Sequence, residues 1–312
     1  MRPLLFLALL LPGCATAHPV EPTKRVALSF DDIPRHAGAW FTPDERTDRL
    51  IEELDKAGVA QAAFLVTPGN LDRPDGAGGK ERIERYVAAG HVIANYSWSH
   101  PWLHRTETDD YIADIDRAAA WLEGRAGYRP WFRYPYLDHG RRDMVKRKSV
   151  EDALAARGLT DGHVTIDNYD WALDGLANTA KREGREVDLP ALCDLYAETL
   201  VQASEFTDAI ARETMVLSPA HVLLLHETDI AANCMGTLVR AYREAGWQII
   251  TADEAYEDPL FGAKIDSPFM GGGHVSAHAH AAGRPARDLI HERTDEKVLA
   301  ALFEERVMAN DD

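Results

Sequence analysis

Short apolar runs ending in polar motifs, separated by stretches with helical spacing, constrain the fold of this chain most. Val26-Ala27-Leu28-Ser29-Phe30 carries β-prone residues up to a paired Asp31-Asp32. Thr42-Pro43-Asp44-Glu45 then reads as a helix start, with a threonine cap, proline in the first turn and glutamate completing a capping box. Leu50, Ile51, Leu54 and Ala57 mark one apolar face of that helix, and Gly58 ends it. Residues 60–66 and 91–94 read as buried strands. Tyr111, Ile112, Ile115, Ala119 and Leu122 mark a second amphipathic helix. Further strands are expected at 131–134, 163–166, 221–225 and 247–250, with a long helix near 188–212. This alternation predicts an α/β fold with a mainly parallel sheet. The polar motifs fall at strand ends, and in a β/α barrel that rim is where side chains from different strands converge.

The 312 residues and an apolar content of 46% suffice for one large domain with its own core. With 51 acidic against 34 basic side chains, the formal charge of −17 repels phosphate backbones, so no nucleic-acid partner is expected. Residues 1–17 read as an export signal: Arg2 is followed by an apolar run too short to span a membrane and then by small residues. Leu11-Pro12-Gly13-Cys14 resembles a lipobox whose cysteine would be lipidated, the one route to membrane association. Ala15-Thr16-Ala17 fits ordinary signal-peptidase cleavage instead. Both readings predict an exported protein of the periplasm or cell envelope. There Cys193 and Cys234 either pair or remain two separate buried thiols. The main domain is expected at 24–262. Residues 263–312 read as a flexible Gly/Ala/His-rich tail with a terminal helix, in which His274, His278 and His280 alternate with Ala in a solvated linker, with binding of stray metal as the alternative.

Five motifs carry chemistry: Ser29-Phe30-Asp31-Asp32, Asn95-Tyr96-Ser97-Trp98-Ser99-His100-Pro101, Arg133-Tyr134-Pro135-Tyr136, Asp167-Asn168-Tyr169-Asp170-Trp171 and Leu224-Leu225-His226. Each alone has an ordinary structural explanation, as a turn, a helix cap, an ion pair or a core histidine. In this order, over roughly 24–260, the set resembles the polysaccharide deacetylases of the NodB-homology type, carbohydrate esterase family four.

The resemblance implies a distorted (β/α) barrel and metal-assisted removal of acetyl groups from N-acetylglucosamine-containing glycans, peptidoglycan or chitin-like. Asp31 would be the general base and Arg133 the group that orients it and keeps it ionised. Asp32 and His100 would ligate a divalent metal, zinc foremost. The Tyr136 backbone amide would help to bind the oxyanion. His226 would protonate the leaving amine with Asp170 fixing its tautomer, and Trp171 and Leu224 would wall the groove and the acetyl pocket. Amide hydrolysis needs an activated water, stabilisation of oxygen charge and a proton for a poor leaving group, and this residue set could supply each.

The family places a histidine where this chain has Tyr96, so the usual Asp-His-His set is incomplete. A neutral phenol with a pKa of about 10 is a poor zinc ligand. His104, four residues beyond His100, is one candidate replacement, because that spacing aligns two imidazoles on a helix face. A solvated His104 beside Arg105, or a two-ligand site completed by water, are the alternatives. Leu137-Asp138-His139-Gly140 suggests a distinct loop after the third motif, with Asp138 and His139 lining the groove. Two other functions stay open: a glycan-binding protein with impaired catalysis, and a metal-independent amidohydrolase of the allantoinase type.

Overall fold

The computed structural model describes residues 23–308 apart from 216 and 266, so the expected signal segment and Cys14 lie outside the described residues. Strand and helix alternate first as β1 (Lys24–Ile33), α1 (Pro43–Lys56), β2 (Ala63–Val66), α2 (Gly79–Ala88), β3 (Val92–Asn95) and α3 (Thr108–Leu122). Then come β4 (Tyr128–Phe132), α4 (Met144–Ala156), β5 (Thr160–Asp161), α5 (Asp170–Arg182), α6 (Leu189–Met215) and β6 (Ala220–His226). The chain finishes with α7 (Asp229–Glu244), β7 (Trp247–Ile249), α8 (Ala252–Tyr256), α9 (Gly273–Ala281) and α10 (Glu296–Arg306). The capping box at Thr42 forms as expected, with Pro43 in the first turn.

All strand pairs are parallel, in the order β5-β4-β3-β2-β1-β6, with β7 beside the first residues of β1. β1 is the hub, and Val26, Leu28 and Phe30 are fully buried against Leu50, Leu54, Phe64, Leu223 and Leu225. Such continuous apolar strands are what a parallel sheet covered by helices requires. The expected α/β architecture is therefore present. The ladder does not close continuously. Instead one segment reaches both edges: Thr160 and Asp161 pair with β4, while Ile166 bridges to Leu223 of β6.

The strand expected at 163–166 is thus reduced to a single bridge. Side chains replace a ladder there. Asp161 accepts from the His163 amide (3.0 Å), and the Gly162 carbonyl accepts from Arg133 Nε and from the Tyr256 hydroxyl (2.8 Å each). The tail needs a larger correction. The described residues of 263–308 are folded onto the domain, with Val275, Ala279 and Leu289 buried against Ile210, Ala211 and Leu260. Leu299 and Phe303 of α10 join the main core. Alanines between the histidines of α9 suit close helix contact, and that pattern outweighs the Gly-rich composition that suggested a linker. His274 is buried. Among the described residues no helix is long and apolar enough to cross a membrane.

Cys193 on α6 and Cys234 on α7 form a disulfide across 41 residues of chain, inside the main core. By loop-closure entropy a cross-link of that span stabilises by about 4 kcal/mol. Cys193→Ser with Cys234→Ser should lower the urea-unfolding free energy by about that amount. A loss under ~1 kcal/mol would mean that the cross-link constrains little of the unfolded chain.

Candidate active site

Four strands deliver the motif residues to one rim. β1 pairs with β6 in a register that sets Asp31 opposite His226. Just beyond, the β1–β2 pairing is interrupted between Phe30 and Ile33, and Asp32 adopts φ 69°, which turns it off the strand. Ser97 (φ 66°), His100 (φ 60°) and Tyr136 (φ 59°) are also left-handed. Such conformations cost on the order of 1–3 kcal/mol each and cluster where side chains must be aimed. The β3 turn is held by its own polar groups: Asn95 Oδ1 accepts from the Ser97 amide (2.8 Å), and Ser97 Oγ accepts from the His100 amide (3.0 Å). Asp114 accepts from the Trp98 and Ser99 amides.

Asp31 and Arg133 are both 0% exposed. Arg133 Nη1 donates to Asp31 Oδ1. Its Nη2 donates to Ser29 Oγ (3.0 Å) and to Tyr256 Oη (2.8 Å), and its Nε to the Gly162 carbonyl (2.8 Å). Burial raises the Asp31 carboxyl above the usual carboxylate range, and Arg133 and then His226 oppose that rise. Asp31 Oδ2 is buried without a hydrogen-bond partner, although the Tyr96 phenol lies beside the carboxylate.

Across the site, His226 Nδ1 meets Asp170 Oδ1 at 2.7 Å, and Asp170 Oδ2 accepts from the His226 amide at 2.8 Å. A carboxylate only accepts, so Nδ1 carries the proton and Nε2 faces the site. Burial would depress this imidazole, but the Asp170 carboxylate outweighs it and holds the His226 pKa above its ordinary value. Asp32 also works against burial: His100, then His226 and Arg35, keep its carboxyl below the usual range. Arg35 Nη1 donates to Asp32 Oδ2 (2.9 Å), while Asp32 Oδ1 faces His100 Nε2 at 3.4 Å. That nitrogen is buried and has no hydrogen-bond partner. Tyr136, 48% exposed, stacks on Trp102 (3.7 Å between centroids) and meets the His100 ring edge-on.

The structure brings together Asp31, Asp32, Tyr96, His100, Arg133, Asp170 and His226. Trp171 is 36% exposed at the start of α5, beside Asp170, and Leu224 is buried among Val164 and Val222. His104 does not join Asp32 and His100. The chain from His100 to His104 is not one helix, because His100 is left-handed and only residues Leu103–Arg105 form a short turn. Both His104 ring nitrogens are engaged elsewhere, Nδ1 with Asp138 (2.8 Å) and Nε2 with Arg105 (3.1 Å). The expected shifted triad is therefore absent. Asp138 and His139 are largely buried, yet both line a small surface pocket beside Trp102 and Tyr136. Sequence reasoning gave no role to Arg35, which reaches Asp32 from three residues away, or to Ser29 and Tyr256, which act on Asp31 only through Arg133. It also passed over Glu227, although that residue directly follows His226. Glu227 accepts from Tyr86 Oη (2.7 Å), from Thr47 Oγ1 (3.2 Å) and from the Arg35 amide (3.0 Å), anchoring the chain beyond His226.

A family model described as polysaccharide deacetylase matches residues 18–153. That match takes in less than half of the chain, and over it the sequence is similar to the polysaccharide deacetylase family. Chitin deacetylase 1 of Cryptococcus neoformans is 29% identical over 161 residues, 49% of this chain and 31% of that protein. A peptidoglycan-N-acetylglucosamine deacetylase of Bacillus cereus is 33% identical over 146 residues, 47% of this chain and 46% of that protein. The chain thus spans less than half the length of these curated relatives. A crystal structure of a Bacillus cereus polysaccharide deacetylase shares the fold, with a TM-score of 0.50, 18% identity and coverage of 73% of this chain and 91% of that one.

The Asp31–Arg133 pair yields a direct prediction. Arg133→Met strands a carboxylate in the core and should cost about 3–5 kcal/mol of stability. Asp31→Asn in the Arg133→Met background should recover part of that loss. If Arg133→Met unfolds within ~0.5 kcal/mol of wild type, the pair is not the buried constraint described here.

Proposed function

We propose that this protein is an exported hydrolase that removes N-acetyl groups from an N-acetylglucosamine-containing glycan of the peptidoglycan or chitin type. The observation that carries the reading is the pairing of two oppositely prepared groups on one rim. Asp31 has an unpartnered buried oxygen and a raised pKa, and His226 is protonated on Nδ1 by its contact with Asp170. Both named relatives act on acetylated glycans. Export is supported by the reading of residues 1–17 and by the Cys193–Cys234 disulfide, a bond that persists in oxidising compartments.

In this reading Asp31 Oδ2 takes a proton from the attacking water, with Arg133 keeping the carboxylate aimed and ionised. His226 delivers a proton to the departing amine from the other side, and Asp170 holds its ring. Trp171 and the stacked Tyr136 and Trp102 flank the sugar, with the Tyr136 amide as oxyanion donor and Leu224 against the acetyl methyl. The donors present fit a divalent metal in part. The 3.4 Å between His100 Nε2 and Asp32 Oδ1 matches the edge of a tetrahedron with bonds of about 2.0–2.1 Å, roughly 3.3–3.4 Å. Asp32 and His100 would hold the ion, with solvent and substrate completing its shell. When bound, it would polarise the acetyl carbonyl and acidify the water.

Tyr96 favours a second reading, a glycan-binding protein with impaired turnover. Burial and the neighbouring Asp31 and Asp32 charges push its phenol well above its ordinary pKa, so it offers no anionic ligand at neutral pH. Acetate release from chitooligosaccharides and peptidoglycan fragments, with zinc or cobalt and with allantoin as a control, separates the readings. Turnover on a glycan, reduced about 10²–10⁴-fold by Asp31→Asn, supports the deacetylase. Glycan binding without acetate under any metal supports the second reading, and allantoin hydrolysis overturns both.

The pH profile supplies an independent check. Activity requires Asp31 ionised and His226 protonated, so kcat/KM should rise through the raised Asp31 pKa and fall through the raised His226 pKa. Asp170→Asn removes the charge that lifts His226 and should move the alkaline limb to lower pH. An alkaline limb that stays in place would assign the acid to another group.

A further inference from the structure

On the far side of the Arg133 guanidinium lies a second cluster, which the proposed reaction does not use. Three of its residues, His139, Asp161 and His163, bring one ligand atom each within 4.8 Å of one another. They form the one such group of three among the described residues. His274 of α9 adds a fourth, with Nε2 3.3 Å from Asp161 Oδ2. His139 Nε2 stands 3.4 Å from the same oxygen. The His163 ring lies between the other two imidazoles, 4.6 Å from His139 and 4.8 Å from His274 between centroids.

The hydrogen-bond inventory of this cluster does not close. His163 is 0% exposed, yet neither ring nitrogen has a partner, and His274 Nδ1 is orphaned as well. Buried polar groups in native proteins are nearly always satisfied, so an imidazole with two open nitrogens calls for a missing partner. His139 sharpens the point. Its Nδ1 faces the Leu137 carbonyl at 3.2 Å, and a carbonyl only accepts, so Nδ1 carries the proton. In the neutral ring Nε2 then presents a lone pair to the lone pairs of Asp161 Oδ2, so the contact needs either a second ring proton or a cation between them. Asp161 Oδ1 meanwhile accepts from the His163 amide at 3.0 Å, which aims Oδ2 into the cluster. Separations of 3.3 and 3.4 Å match the edge of a tetrahedral zinc site, about 3.3–3.4 Å for bonds of about 2.0–2.1 Å. The Leu137 carbonyl on His139 is also the outer contact that fixes the tautomer of a metal-bound imidazole.

We propose that His139, Asp161, His163 and His274 form a structural site for a divalent transition metal, zinc foremost, separate from Asp32 and His100. Three imidazoles and one carboxylate suit zinc or cobalt and do not suit calcium or magnesium. The Asp161 side chain, 28% exposed, opens to a cleft lined by Met144, Arg147, Met270 and His274, which gives an ion a way in. The ion ties together the loop after β4, the end of β5 and α9, three elements that meet nowhere else through a regular ladder. It also pins the turn at Gly162, whose carbonyl orients Arg133 through Nε.

The test reads metal content and stability rather than turnover, so it stands apart from the deacetylase proposal. Full-length protein carrying Asp32→Asn and His100→Ala is loaded with zinc, dialysed and assayed for metal, and the cobalt form is examined by visible absorption. A retained equivalent of zinc, a tetrahedral cobalt spectrum and a Tm lowered by chelator are expected. Adding His163→Gln or, separately, His274→Gln should abolish retention and the chelator effect, with folding checked by circular dichroism. His139→Gln serves if either variant fails to fold. Absence of bound zinc or cobalt in the Asp32→Asn, His100→Ala protein overturns the proposal. Retention unchanged by His163→Gln, His274→Gln and His139→Gln also overturns it.

Discussion

The structure turns on a carboxylate taken out of water at the centre of a parallel sheet. Asp31 is completely buried, and an isolated charge there would neutralise itself at a cost of several kcal/mol. Arg133 prevents that outcome, and only a planar fork can do so while serving three other acceptors. Its contacts run to Ser29 on β1, to the Gly162 turn beyond β5 and to Tyr256 at the end of α8. A lysine would reach one or two of these. The same ion pair therefore fixes Asp31 and fastens four parts of the chain around it. Burial and Arg133 oppose one another on Asp31, and burial prevails, so its pKa is raised.

The opposite wall is built on a different principle. His226 ends a strand, and the residue after it, Glu227, is sunk into contacts with Tyr86, Thr47 and the Arg35 amide. Arg35 in turn reaches Asp32 through its side chain, so one residue links the anchor of β6 to the second aspartate of β1. Asp170 grips both the ring and the amide of His226. His226 is thus held by backbone as well as by side chain, both from Asp170 at the start of α5.

Much of this was legible in the sequence because local rules produced it. The capping box at Thr42, the apolar faces of α1 and α3 and the buried strands β1, β2 and β6 follow from periodicity and turn chemistry. Four of the five motifs sit on the rim because strand ends deliver them there, and the fourth follows the single bridge at Ile166. What was illegible depended on contacts between distant residues. Tyr256 and Ser29 gain meaning only once Arg133 lies between them, and His104 looked like a ligand only on the assumption of a continuous helix. The misreading of residues 263–308 has a related cause. Glycine and alternating alanine suggested a linker, but the buried Ala277 and Ala279 let α9 approach α6 closely, and His274 at its start is buried with them. Composition recorded the small residues without recording the surface they were to meet.

The position of Tyr96 decides how far the chain can lean on a metal. A histidine there would bring a neutral lone pair beside His100 and Asp32. The phenol instead brings a proton that burial and two nearby carboxylates hold in place. It stands beside Asp31, so it can donate to the base but cannot ligate at neutral pH, and a hydrogen bond to the ionised carboxylate favours that form. The substitution therefore moves stabilisation from the metal toward Asp31 itself. If turnover survives, it does so with a weaker Lewis acid and a more fully ionised base, and Arg35 on Asp32 takes up part of the charge compensation a third ligand would have shared. Under the proposed function, the rim would then hold an acetylated sugar with the same aromatic walls while depending more on its own proton-transfer groups.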